Sequence, residues 1–341
     1  MPAPVFTGWL NLFVLTPRLN SRNWRRNRYL AFGLGAVTTL TSAGVFMSAP
    51  AQAQELPVGA AQTSAARPAE TPPSVSLRGG ELIDATTGTV LWGKDDTVGR
   101  PMGSITKVMT ALLVLRAGDL GQEIKVTKAA IRYVHKDDAS SAGLIAGDYL
   151  TARQLLEAML LPSGCDAAYL LATAYGPGRT AFVAKMNAMA QSMGLASTHF
   201  SWFDGMPYPT ELSTYSAPAD LVRLGERAMR YPTFRGIVAQ KEYRVAATHL
   251  HHSYLWQTTD MLIGSYQGVI GIKTGNTRAA GHCLLFEARR DGITLIGVVL
   301  HANPAGNPNA AFRAARKLLN WGFGQVNRTG LKLVRTWTPR P

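Results

Sequence analysis

Cysteine is nearly absent from this chain of 341 residues, which carries only Cys165 and Cys283. Two cysteines exclude a small disulfide-framed scaffold, so folding has to rest on an apolar core. Charge is scarce as well: charged residues make up 16% of the chain against 46% hydrophobic ones, a balance that excludes global disorder and supplies a large core. Acidic residues are the rarer sign, 21 against 35 Lys and Arg, and none precedes Glu55. No internal repeat is evident. There is also no basic run interleaved with aromatics, which argues against nucleic acid as a partner despite a net charge of +14. His249, His251 and His252 cluster, but no carboxylate set with metal-ligand spacing accompanies them. They read as a surface loop, and neither a metal nor another cofactor is expected.

The positive excess begins early. Arg18, Arg22, Arg25, Arg26 and Arg28 lead into an apolar run over 29–47, and Ala51-Gln52-Ala53 follows as a small-x-small cleavage site. Residues 1–53 therefore read as a signal peptide or, if uncleaved, as a membrane anchor, because the run is close to spanning length. The Arg25-Arg26 pair suggests the twin-arginine route, which the residues after it fit poorly. Either way the body of the protein is expected outside the cytoplasm, secreted or anchored at its N-terminus. Without those five arginines the net charge is still +9, which suits an anionic partner such as a cell-wall polymer or an acidic lipid surface. Residues 54–74 are rich in Ala, Pro, Thr and Gln and lack periodicity, as a flexible linker does. The folded domain is expected over 75–325, with a short basic tail over 326–341.

From Gly80 the texture changes. Residues 81–84 and 89–92 read as two strands joined at Thr86-Thr87-Gly88. Helical patterns follow over 104–117, 151–161, 166–175, 180–194 and 218–229, with Thr151 as a cap and Gly194 as a stop. Met159, Met186, Met189 and Met193 read as gap-fillers on these helices. A connection over 199–217 is long and rich in turn formers and aromatics, the kind of segment that is functional or mobile. Strands over 271–274, 282–288 and 294–301 and a helix over 309–321 close the pattern. Strands at both ends of the chain with helices between them imply one sheet assembled from distant segments, an α+β fold.

Three short motifs carry the chemistry. Ser104-Ile105-Thr106-Lys107 offers a hydroxyl with a lysine three positions on, and i and i+3 share one helix face. A serine hydroxyl needs a base within hydrogen-bond reach, and a lysine becomes one when burial or a neighbouring cation lowers its pKa. Lys273 is the candidate for that neighbouring cation. Ser163-Gly164-Cys165 offers a hydroxyl that could pass protons, or alternatively cap the next helix. Lys273-Thr274-Gly275 offers a cation and a hydroxyl on a strand, where the glycine lets another backbone approach. Alone, the first motif is weak, since such a string arises by chance on many helices. The three together, in this order, are specific.

This order and spacing resemble the penicillin-binding proteins, whose S-x-x-K, S-x-N and K-T-G triplet recurs in serine β-lactamases. The D-alanyl-D-alanine carboxypeptidases and transpeptidases of low molecular mass are the most similar group, over residues 73–324. The resemblance implies a five-stranded antiparallel sheet flanked by helices, an all-helical lobe, and an active site in the cleft between them. It implies a serine peptidase acting on peptidoglycan stem peptides through an acyl-enzyme at Ser104, and acylation by β-lactams. Lys107 would be the general base and Ser163 the proton relay. Backbone N–H groups of Ser104 and Asn276 would form the oxyanion hole. Cys165, Lys273, Thr274, Gly275 and Thr277 would bind substrate, with Arg278 as a further carboxylate contact. The second, β-rich domain and C-terminal amphipathic anchor of some relatives are not expected here.

Cys165 stands where the family usually has asparagine, and a thiol is a weak donor and a weak acceptor. Some relatives, notably transpeptidases, carry the same Ser-Gly-Cys, so the change bears on hydrolysis rather than on activity as such. Cys165 and Cys283 are open to bridging, to remaining free, or to modification. Two other readings stay open. A β-lactamase of the same fold would need an activated water, for which only Glu211 stands in the 199–217 connection, in surroundings unlike that motif. A non-catalytic wall-binding relative would result if Cys165 had shut the site, against which intact Ser104, Lys107 and Lys273 argue. Asp204-Gly205 reads as a structural turn.

Overall fold

A computed structural model describes residues 71–136, 138–302 and 307–328. The expected signal or anchor, the linker up to residue 70 and the tail beyond 328 lie outside these residues. The described part runs β1 (Gly79–Asp84), β2 (Thr89–Lys94), a 3-10 turn (Gly103–Thr106), α1 (Lys107–Ala117), β3 (Glu123–Lys125), α2 (Lys128–Lys136) and β4 (Tyr149–Thr151). It continues through α3 (Ala152–Leu160), α4 (Cys165–Tyr175), α5 (Arg179–Ser192), α6 (Pro218–Met229) and α7 (Pro232–Val238). It closes with β5 (Glu242–Val245), β6 (Tyr254–Gln257), β7 (Val269–Thr277), β8 (Gly281–Arg290), β9 (Ile293–Ala302) and α8 (Ala310–Arg328).

The main sheet has five strands in the order β2-β1-β9-β8-β7, every pair antiparallel. Its first two and last three strands are far apart in sequence, the α+β assembly expected. The inner strands β8 and β9 are buried on both faces, so they read as nearly continuous apolar runs. Alternate residues serve two cores. Leu284, Phe286, Leu295 and Val299 face α8 with Leu318, Leu319 and Phe323. Leu285, Ile296 and Val298 face the core that also holds α1, α3, α4 and α6. Two two-stranded ribbons, β3–β4 and β5–β6, lie apart from the main sheet.

α1 is the centre of the second core and packs against α3, α4, α5 and α6. Lys107 through Leu112 and Val114 are all buried, so this helix has no solvent face except near its end. That position forces Lys107 inside. The expected helix over 104–117 begins as a 3-10 turn, because Gly103 sits at φ +54 and bends the chain into it. α5 starts and stops within two residues of expectation, and α8 runs to Arg328, beyond 321.

Several elements carry too little signal to be read in sequence. β3 and β4 have three residues each, and α2 is short, nine residues, with only Ala130 and Val134 buried. The expected surface histidines lie before β6, where the His252 ring stands 2.9 Å from the buried Asp148 carboxylate. The 199–217 connection is anchored rather than loose: Phe200, Phe203, Asp204 and Ser216 are fully buried.

Thr151 caps α3 with a reciprocal pair of bonds, its hydroxyl accepting the Gln154 amide while its own amide reaches the Gln154 side chain at 2.8 Å. Thr151→Ala is expected to cost about 1 kcal/mol and to lower the melting temperature by about 2 °C in a calorimetric scan.

Candidate active site

The three motifs meet around one buried amine. Lys107 Nζ lies 2.8 Å from Ser104 Oγ, 3.3 Å from Cys165 Sγ and 3.0 Å from the Asp204 carbonyl. Three segments distant in sequence thus each offer one acceptor, and the lysine is 0% exposed. The three acceptors match the three N–H donors that a lysine side chain can offer.

The Asp204 carbonyl is held from behind. Tyr133 on α2 donates its hydroxyl to Asp204 Oδ2 at 2.8 Å, and the Trp202 indole donates to the Tyr133 oxygen at 3.0 Å. The Met206 amide donates to Asp204 Oδ1 at 3.0 Å, and Thr110 on α1 donates to the Phe203 carbonyl at 2.5 Å. Burial and the Asp204 charge push the Tyr133 phenol up, so it stays a donor. Gly205 sits at φ +88, and a Cβ there would stand 2.0 Å from the Gly103 carbonyl. The Asp204-Gly205 turn, expected to be structural only, therefore supplies a partner to Lys107. Nothing in the sequence distinguishes a backbone carbonyl of this kind.

Ser163 lies between α3 and α4 at φ +67, a region that a serine rarely adopts. It does not cap α4: Gly164 holds the cap position and no side chain bonds there. The Ser163 hydroxyl has no hydrogen bond among the described residues, although the residue is buried. Cys165 opens α4, its amide donating to the Ser140 carbonyl at 2.7 Å. Beside it Asp166 accepts from Ser141 Oγ at 2.7 Å and from the Ala142 amide at 3.0 Å, which fastens the 139–147 loop over this end of the helix. Burial first, then the Asp204 charge, pushes the Cys165 thiol up to about 12. It faces the lysine as a neutral thiol.

Lys273, on β7, is 1% exposed, its Nζ 3.2 Å from the Thr274 carbonyl and 3.3 Å from Thr274 Oγ1. The Thr274 hydroxyl in turn lies 2.6 Å from that of Thr259. Burial, and after it the Lys107 charge, lowers Lys273 to about 7. The nearby Asp260 is buried too, which raises it to about 6, and its Oδ2 has no partner among the described residues.

Gly275 makes the contact between β7 and the turn that carries Ser104. A Cβ there would stand 2.2 Å from the Met102 carbonyl, and one on Gly103 would stand 2.9 Å from the Asn276 amide nitrogen. The close approach that Gly275 allows is thus to the protein's own backbone, and it puts the amides of Ser104 and Asn276 on adjoining segments. Thr277 Oγ1 accepts the Ala280 amide at 3.0 Å across the β7–β8 turn, while Arg278 and Glu211 are exposed. Cys283 pairs with Gly275 in register, and its thiol points to the Ala280 carbonyl at 3.3 Å. Both cysteines are free, so the disulfide that would gate the site is not formed.

A lysine at about 7 loses its charge as pH rises through neutrality, and the carboxylate-binding role expected of Lys273 would weaken with it. The ratio of kcat/KM for a peptide with a free C-terminal carboxylate to that for its C-terminal amide is expected to fall above pH 7. The fall should approach about tenfold per pH unit, and Lys273→Met should flatten the profile. A ratio independent of pH between 6 and 9 in the unaltered protein would contradict this assignment.

A family model described as D-alanyl-D-alanine carboxypeptidase matches residues 66–304 of the chain. A D-alanyl-D-alanine carboxypeptidase of Streptomyces strain K15 is 41% identical over 280 residues, covering 77% of this chain and 94% of the relative. One from Mycobacterium tuberculosis is 34% identical over 242 residues, 71% of this chain and 80% of the relative. Among solved structures, the Streptomyces K15 DD-transpeptidase superposes with a TM-score of 0.70 at 40% identity, over 75% of this chain and 100% of that one. The D-alanyl-D-alanine carboxypeptidase of Mycobacterium tuberculosis does so with a TM-score of 0.68 at 32% identity, over 75% and 94%.

Proposed function

The chain belongs to the D-alanyl-D-alanine carboxypeptidase family, and from that premise we propose how its residues divide the work of acyl transfer on peptidoglycan stem peptides. It is a serine-type D-alanyl-D-alanine peptidase, and the family's substrate puts its work outside the cytoplasm. Ser104 Oγ attacks the carbonyl of the penultimate D-alanine, and its proton passes to Lys107. The 2.8 Å contact inside a fully buried, three-acceptor site is the observation that carries this reading. General-base help of this kind is worth about 10²–10⁴ in rate.

The oxyanion that forms is held by the backbone N–H groups of Ser104 and Asn276, two donors whose removal typically costs about 10²–10³ each. Ser163, with its hydroxyl uncommitted, relays a proton to the nitrogen of the departing D-alanine. Lys273, Thr274 and Thr277 receive the terminal carboxylate, whose charge favours the protonated form of Lys273. Water or an amine then takes the acyl group from Ser104. A β-lactam enters the same sequence, but its cleaved ring stays attached and the acyl-enzyme persists.

Mixing the protein with benzylpenicillin is expected to add one equivalent of the antibiotic to the intact mass, mapped to Ser104. Ser104→Ala should abolish the adduct while leaving the melting temperature within about 1 °C. An adduct that survives the substitution would move the nucleophile elsewhere.

Cys165 tunes the fate of the acyl-enzyme. A neutral thiol accepts the Lys107 N–H less strongly than an amide oxygen would, so Lys107 is held less firmly during deacylation. Cys165→Asn is expected to preserve acylation and shift the division between hydrolysis and transfer toward hydrolysis. The check is the product ratio from a thioester donor with a D-amino-acid acceptor; an unchanged ratio would remove the thiol from this role.

A further inference from the structure

The far end of α1 borders a second, strongly basic concavity. A cavity of about 430 Å³ is lined there by Arg116, Arg223, Arg227 and Arg230, with Met189 and Glu226 among its walls. Arg116 stands nine residues after Lys107 on α1, about 13 Å along the helix axis from the catalytic lysine. The other three arginines come from α6 and its C-cap. None of this lining takes part in acyl transfer.

The arrangement breaks a local rule and repairs it only in part. Arg223 and Arg227 are four apart and Arg227 and Arg230 three apart, so like charges stand side by side on one helix face. Only one carboxylate stands at 4.0 Å or less from any of the four among the described residues, that of Asp220, 3.9 Å from Arg223. Arg116 rests instead on the Met189 sulfur at 3.4 Å. Glu226 is the one acid in the lining, half-buried, and burial raises it against the pull of Arg230 and Arg223. Cations in the last turn of a helix do complement its dipole, which accounts for one arginine at each of α1 and α6. It does not account for three in succession on α6 facing a fourth across a cavity. Breaches of a local rule that are only partly compensated are expected at functional sites.

We propose that this cavity binds a phosphodiester-bearing anionic polymer of the wall, separately from the acyl-transfer site. Guanidinium forks match phosphate oxygens in pairs. From Arg223 to Arg230 the row extends about 10 Å along α6, longer than one phosphate group and suited to successive charges on a chain. A lipid surface fits less well, because membrane-surface sites pair cations with exposed apolar anchors. None of the large exposed apolar residues belongs to this lining. The wall as source of the polymer rests on the peptidase reading; the anion chemistry does not.

The test is calorimetric titration of the full chain with a glycerol-phosphate oligomer, with inorganic phosphate and phosphatidylglycerol vesicles run beside it. Arg227→Gln with Arg230→Gln is compared with Lys128→Gln with Arg132→Gln, an equal loss of charge on exposed residues of α2. The expected result is saturable oligomer binding, weakened about tenfold or more by the α6 pair and little by the α2 pair. Equal weakening by both pairs, no binding, stronger binding of inorganic phosphate than of oligomer, or binding of vesicles alone would overturn the proposal. Benzylpenicillin acylation in the same samples reads the peptidase assignment independently and should be the same in the α6 variant as in the unaltered protein.

Discussion

A lysine side chain held entirely away from water is the constraint on which the rest of this structure depends. An amine at that position is costly unless every donor finds an acceptor, and the acceptors of Lys107 come from three segments: the turn before α1, the start of α4 and the connection after α5. The site is complete only when the helical lobe has assembled. α1 is itself buried on nearly all sides, so Lys107 at its start lies within the core. Under the proposed mechanism, folding and catalysis are coupled through this one nitrogen atom.

A second buried lysine shares the site. Charging both at once is unfavourable, and the depressed Lys273 records this after the larger effect of its own burial. The carboxyl of Asp260, with one oxygen unpartnered among the described residues, offsets part of this as a weaker opposite charge. An arriving carboxylate changes that balance, because it favours the cation on Lys273. Under the proposed role of Lys273 as the carboxylate clamp, substrate binding and proton uptake there are linked.

Glycine settles the backbone geometry between these two parts. Gly275 admits the Met102 carbonyl, and Gly103, at positive φ, brings its backbone against the Asn276 amide. Side chains at either position would push β7 away from the turn that carries Ser104. Two backbone amides 172 residues apart, at Ser104 and at Asn276 just after the Lys273-Thr274-Gly275 motif, come together through the absence of Cβ atoms. On the other wall, Gly205 allows the Asp204 turn to rest on Gly103 and so present its carbonyl to Lys107.

The sequence by itself determined the element types that are long or strongly patterned and the residues whose chemistry depends on their own side chains. β8, β9, α3, α6 and the three motifs were legible, because their periodicity or reactive groups are local properties. The α+β class followed from the order of those elements. Only the tertiary structure decided the contacts whose signal is not local. Tyr133 lies on a short helix and bears on Lys107 through Asp204; the Asp204 partner is a backbone carbonyl; Ser163 leaves α4 to be capped by Gly164. The state of the two thiols likewise depended on where β8 and α4 meet the core rather than on their count. A backbone carbonyl looks the same at every residue, so its role is set by where the chain brings it, and that is decided by packing alone.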